Sequence, residues 1–154
     1  MSPHTAFLIL QGLETLSLRM EKHISNTRDI VSFLNEHKEV KSVSYPELEN
    51  HPDNKLAQEI LPRGCGAVFT FEIEGGLESG KKFIESLNIF SHLSNVGDAK
   101  SLVIHPASTT HHRMDTLALK NAGISESTVR LSIGIEDIND LKEDLDEALK
   151  QANR

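Results

Sequence analysis

At 154 residues, 38% hydrophobic and 25% charged, the chain has the length and balance of one soluble globular domain with a single core. A formal net charge of −7, with no Lys/Arg cluster against it, excludes a general nucleic-acid or polyphosphate surface. The single cysteine, Cys65, excludes an internal disulfide and points to a reducing, cytoplasmic setting, and no apolar run is long enough to cross a membrane.

The opening "MSPHTAFLIL" has neither the charged start nor the small-residue cleavage site of a signal peptide. It enters a helix at once, with Ser2 as N-cap and Pro3 in the first turn. Residues 3–37 read as that helix. Phe7, Leu10, Leu13, Leu16, Met20, Ile24, Thr27, Val31 and Leu34 draw one stripe at steps of three or four, and Gly12 is its weak point. Such a helix exceeds what a domain of this size needs. Part of it is expected to pack against something outside the chain, and the abrupt start suggests a piece of a longer one.

Residues 40–46, "VKSVSYP", form a short strand stopped by Pro46. A polar connection follows, with a turn or two of helix at 54–60, closed by Pro62 and Gly64. "GAVFTFEIEGG" (66–76) alternates Val68, Thr70 and Glu72 against Ala67, Phe69, Phe71 and Ile73, which is a strand. Residues 77–87 form an amphipathic helix with Leu77, Phe83, Ile84 and Leu87 inward. Strands are expected at 89–95 and 101–105, with "VGDAK" turning between them. A helix at 112–123 ends on Gly123. "STVRLSIGIE" (127–136) is the clearest strand. The helix at 137–154 takes Asp137 as N-cap, turns Ile138, Leu141, Leu145 and Leu149 inward, and carries a solvated charged face. Strands this close together do not suit a doubly wound parallel sheet. The expected fold is an α/β (α+β) domain, a mostly antiparallel sheet with helices on one face.

On the last strand Val129, Leu131, Ile133 and Ile135 take one face, and Arg130, Ser132 and Gly134 the other. A mid-strand guanidinium followed by small residues describes a sheet face left open by the core. Arginine suits planar, bidentate recognition of a carboxylate or phosphate. A surface pair with Glu72 is the plainer alternative. His105, His111 and His112 crowd one loop, but adjacent histidines cannot share i, i+4 metal geometry and no acid or thiol stands at ligand spacing. No metal is expected, and His111 and His112 read as turn or cap residues. Cys65 lacks a Cys-x-x-Cys partner or a local base, and "EGGLESG" does not match a phosphate-cradling loop.

Four blocks carry a resemblance: "SPHTAFLILQGLETLSLRM"; His51–Pro52; "GGLESGKKFIESLNIFSHLSNVGDAKSLVIHPASTTH"; and "STVRLSIGIEDINDLKEDLDEAL". In order and over essentially the whole chain, they resemble the C-terminal part of the Cys/Met-metabolism enzymes that depend on pyridoxal phosphate. Within that family the third block is most similar to O-acetylhomoserine sulfhydrylases. Cystathionine enzymes tend to carry Glu where this chain has Lys100, and Met where it has Thr109.

The resemblance implies a fold-type I enzyme in which residues 1–37 connect to a large cofactor domain and 38–154 form the small substrate-binding domain. It implies that Arg130 grips the α-carboxylate of an amino-acid substrate and that Ser101 approaches the same group. Asn95, Leu102, His105 and Thr110, with His111, would line the pocket. No lysine sits in the family's Schiff-base setting, so the cofactor lysine is expected upstream and the chain alone is expected to be inactive, with no catalytic residue of its own. The implied reaction replaces acetate by sulfide at a γ-carbon, giving homocysteine for methionine biosynthesis, in a homo-oligomer. A γ-lyase or cystathionine γ-synthase of the same family is an alternative, and a stand-alone regulatory module that binds a small molecule is another.

Overall fold

Residues 1–152 are described by the computed structural model, Thr116 by its backbone alone. Helix α1 (Pro3–Glu14) begins as expected: the Ser2 hydroxyl accepts the Thr5 N–H at 3.1 Å, and Pro3 fills a position whose N–H has no helical partner. The expected single helix is in fact two. α1 stops at Thr15 and α2 runs Leu16–Asn35, so the break falls at Thr15 and not at Gly12. The Arg19 guanidinium explains the place. It donates to the Gly12 carbonyl at 2.5 Å and to the Thr15 hydroxyl at 3.4 Å, satisfying acceptors at the end of α1.

No residue of α1 is buried, and Phe7, Leu10 and Leu13 are more than half exposed. Further along the same stripe Thr27, Val31 and Leu34 are buried. Only the C-terminal half of the stripe therefore meets the core. His23, Asn26 and Ile30, outside the stripe, are buried with it.

β1 (Val40–Ser44), β2 (Val68–Ile73), β3 (Ser91–His92), β4 (Leu102–Ile104) and β5 (Thr128–Ser132) make one sheet in the order β1-β2-β5-β4-β3. Its pairs are antiparallel except β3–β4, which is parallel, so the sheet is mixed at one edge. α2, α4 (Gly76–Ser86) and α6 (Ile138–Ala152) supply Leu34, Phe83, Leu145 and Leu149 against Phe69, Phe71, Val129, Leu131 and Ile133 of the sheet side. The alternation read for β2 and β5 places these side chains on one face, as a period of two requires. α3 (Asn54–Ile60), a 3-10 turn (Pro106–Ser108) and α5 (Thr116–Asn121) lie in the connections.

Several elements are shorter than the sequence suggested. β3 keeps only two residues of 89–95, and turns occupy the start of the helix expected at 112–123. β5 ends at Ser132, although Ile133 and Ile135 still donate to the Ala67 and Ala99 carbonyls. Asp137 leads α6, its carboxylate accepting the Asn139 N–H at 2.8 Å. That backbone hydrogen bond holds the carboxyl below its ordinary range. The expected helical residues 153–154 lie outside the described residues.

The charged face of α6 is not wholly solvated. Asp144 is buried, and its two oxygens accept the Asn88 N–H at 2.8 Å and the Ile89 N–H at 2.9 Å. It ties α6 to the turn after α4. Asp144→Ala leaves both amides unpaired and is expected to cost about 3 kcal/mol, read as a lower urea midpoint at unchanged slope. Asp144→Asn, which keeps one acceptor oxygen, is expected to cost less.

Candidate functional site

Arg130 lies midway along β5, the middle strand of the sheet, between Thr70 of β2 and Ile104 of β4. Alternation sends its side chain away from the helical core. The guanidinium reaches across β4 to the segment leaving β3. Nη1 stands 3.5 Å from the Ser94 hydroxyl oxygen, and Nη2 donates to the Asn95 carbonyl at 3.2 Å. Glu72, the plainer partner, pairs instead with Lys41 at 3.6 Å. Among the described residues no carboxylate forms an ion pair with Arg130. A guanidinium has five N–H donors in a planar fork, so several remain for an anionic ligand.

The face around Arg130 is less bare than the pattern implied. Leu102, Ile104 and Ser132 are buried, with Leu102 opposite Ser132 and Ile104 opposite Arg130. They give the guanidinium an apolar floor. The Ser132 hydroxyl is buried with no hydrogen-bond partner among the described residues.

Of the residues named from sequence, the structure brings Asn95 to Arg130 and keeps Leu102 on the same face. Ser101 is elsewhere. It is fully buried; its hydroxyl donates to Glu136 Oε2 at 2.9 Å and accepts the Gly134 N–H at 2.8 Å. Its own N–H donates to Glu136 Oε1 at 2.6 Å. Both groups are thus hydrogen-bonded within the fold. The hydroxyl that stands beside the guanidinium is that of Ser94. Sequence reading missed Ser94 because it lies beyond a two-residue strand, where alternation carries no register. Thr110 is exposed, with its hydroxyl 2.8 Å from His111 Nδ1.

His105 does not line the open face either. It is fully buried against α4, where a Cβ added at Gly80 would stand 2.5 Å from Nε2. Nε2 donates to the Glu126 carbonyl at 2.8 Å, so Nδ1 is the acceptor, 2.8 Å from the Ser108 hydroxyl. Burial pushes its pKa below the ordinary 6.5; the bond to the Glu126 carbonyl opposes that shift in part, and nearby Lys81 and His92 add to it. The unfolded chain therefore takes this proton first. Stability is expected to be full above pH 6.5 and to fall as pH drops through it, until the folded ring also titrates. Urea melts at pH 7.5 and 5.5 and a ring-proton titration with a midpoint below 6.5 check this; a midpoint at or above 6.5 contradicts it. His112 donates through Nδ1 to the Thr109 carbonyl at 2.7 Å, a turn role. Among the described residues no three His, Cys, Asp or Glu side chains converge as metal ligands.

Away from Arg130, an open groove of about 1000 Å³ runs between α2 and residues 60–64, walled by Leu16, Met20, Ile24 and Ile60. A smaller cavity of about 280 Å³ is lined by Arg28, Glu47, Asn54 and Cys65. Burial raises the Cys65 thiol there, with the Glu47 charge adding to it, so it is a poor nucleophile at neutral pH.

Residues 1–150 match the family model described as Cys/Met metabolism PLP-dependent enzyme. The chain belongs to that family. It is 49% identical over 150 residues to the O-acetyl-L-homoserine sulfhydrylase of Leptospira meyeri, covering 97% of this chain and 34% of that protein. An L-methionine gamma-lyase of Fusobacterium nucleatum is 40% identical over 151 residues, 98% of this chain and 38% of its own length. A crystal structure from Campylobacter jejuni, assigned as an O-acetylhomoserine (thiol)-lyase and carrying a pyridoxyl-lysine phosphate, superposes with a TM-score of 0.89 at 39% identity. That match covers 97% of this chain and 36% of the other. This family member thus spans about a third of the length of these relatives.

The family is dependent on pyridoxal phosphate, which needs a lysine in an enclosed pocket as covalent partner. Every lysine here is at least partly exposed. Lys41, Lys81 and Lys150 face the surface carboxylates Glu72, Glu78 and Asp146. The described residues do not fit a covalent site for the cofactor.

Proposed function

We propose that this chain is the C-terminal third of an O-acetylhomoserine sulfhydrylase, and that its part is to hold the substrate's α-carboxylate on Arg130. The whole enzyme would replace the acetate at the γ-carbon of O-acetyl-L-homoserine with sulfide, giving homocysteine. The supporting observation is a mid-strand guanidinium with donors to spare, an apolar floor and no carboxylate partner among the described residues.

Two parallel N–H···O bonds fix both position and plane of a carboxylate. Ser94, beside Nη1, offers a further donor to the same group. A substrate pinned at this end keeps one orientation at its α-carbon, and that positioning lowers the barrier of the following chemistry.

In this reading residues 1–37 link to the cofactor domain, and 38–154 are the small domain. The cofactor and its lysine lie on the portion this chain does not span, and the chain alone is inactive. The complete enzyme is a cytoplasmic homo-oligomer. The test joins this chain to the N-terminal two-thirds of the Leptospira meyeri relative, with pyridoxal phosphate supplied. Homocysteine from O-acetyl-L-homoserine and sulfide is the expected product. Release of 2-oxobutanoate from L-methionine without homocysteine formation would favour the γ-lyase reading, which the 40% identity to a methionine gamma-lyase keeps in view.

A further inference from the structure

The C-terminal end of the Arg130 strand is clamped from two sides. From α2, His23 Nδ1 donates to the Ile133 carbonyl at 2.6 Å. Asn26 Nδ2 donates to the Gly134 and Glu136 carbonyls at 3.2 and 2.9 Å. From the other side the Ile135 N–H donates to the Ala99 carbonyl at 3.0 Å. Glu136 then closes the link: one carboxylate oxygen takes the Ser101 N–H and the other the Ser101 hydroxyl. Gly134 leaves no room between these parts, since a Cβ there would run into the Ala99 carbonyl, Lys100 backbone and Glu136 carboxylate. The segment held in this way, residues 93–101, carries Ser94 and Asn95 to the guanidinium.

We propose that Glu136 is a positioning residue: by holding residues 99–101 through Ser101, its carboxylate sets the segment that aims the Arg130 fork. The chemistry suits a carboxylate in particular. Two acceptor oxygens meet two donors of one residue, and bonds to an ionised acceptor are stronger than neutral ones. Aspartate is one methylene shorter. Glutamine offers one acceptor, and its amide can only donate into a hydroxyl that already accepts from Gly134. This inference rests on the reading of Arg130 as a carboxylate clamp.

The experiment uses the whole 154-residue chain, isotope-labelled, with L-methionine as the probe. In the wild type, L-methionine shifts the Arg130 Nε–H resonance saturably. In Glu136→Ala the Ser101 amide exchanges at least about 100-fold faster, while amides of α4 and α6 keep their protection. Probe affinity at Arg130 falls at least about tenfold, about 1.4 kcal/mol. Glu136→Gln and Ser101→Ala, milder changes that serve if the alanine variant does not fold, lie between the two. Equal segment protection and equal affinity in the wild type and all folded variants overturn the inference and leave the Arg130 reading intact. A wild-type chain that gives no shift at Arg130 overturns the clamp reading, and the inference with it. A general loss of protection across α4 and α6 together with residues 93–101 also overturns it, since Glu136 would then hold the fold and not the segment.

Discussion

Arg130→Ala, in an enzyme completed with the N-terminal part of a sulfhydrylase relative, is expected to lower kcat/KM for O-acetyl-L-homoserine by at least about 100-fold. Two charge-assisted hydrogen bonds to a carboxylate contribute about 1.5–3 kcal/mol each where water is excluded, and each 1.36 kcal/mol is a factor of ten in rate. Leu102 and Ile104 lie buried on the same face of the sheet as Arg130. Loss of a bond that grips ground and transition states alike raises KM, whereas lost orientation at the α-carbon lowers kcat; the clamp predicts both. Arg130→Lys keeps the charge and loses the planar fork, so it is expected to lose at least about tenfold and not to restore the wild-type rate. Steady-state kinetics on the three proteins decide the matter.

Gly80→Ala is the second large effect, and its sign separates two arguments. Helix propensity alone says alanine in the middle of α4 gains about 1 kcal/mol. Geometry says the opposite. The new Cβ would stand 2.5 Å from His105 Nε2 and 2.7 Å from Cδ2. The ring cannot swing aside, because it is fully buried and both nitrogens are bonded, to the Glu126 carbonyl and the Ser108 hydroxyl. Overpacking of this kind costs about 1–3 kcal/mol, and a displaced ring gives up hydrogen bonds besides. A net loss of about 3 kcal/mol is expected, a fall in Tm of roughly 6–12 °C for a domain of this size. A thermal melt at pH 7.5 checks it; an unchanged or higher Tm would mean that His105 is not held as described.

The sequence shows the sheet and its core face well, because Phe69, Phe71, Val129 and Leu131 alternate cleanly and every one of them is buried. Arg130 was legible for the same reason: its parity alone put it opposite that core. The break at Thr15 was not legible. Gly12 is the weaker helix former, but the end of α1 is set where Arg19 can reach back to the Gly12 carbonyl and the Thr15 hydroxyl, a contact between turns that propensity does not register. Ser101 and Ser94 show a different limit. Both are serines near one loop, and only the fold decides that the first is sealed under Glu136 while the second stands at the guanidinium. Asp144 looked like one acid among many on a charged helix. It is buried because two amides of a distant turn need its oxygens, a requirement written in the α4–β3 connection and not in α6.

Whether Arg130 holds an α-carboxylate can be read from a pair of inhibitors. L-methionine and 3-(methylthio)propylamine differ by that carboxylate alone. Their inhibition constants in the completed enzyme, wild type and Arg130→Ala, form a cycle that isolates the one contact. The wild type is expected to prefer L-methionine by at least about 100-fold, and Arg130→Ala barely to distinguish the two. A variant that keeps the wild-type preference would contradict it, and would place the carboxylate on some other residue.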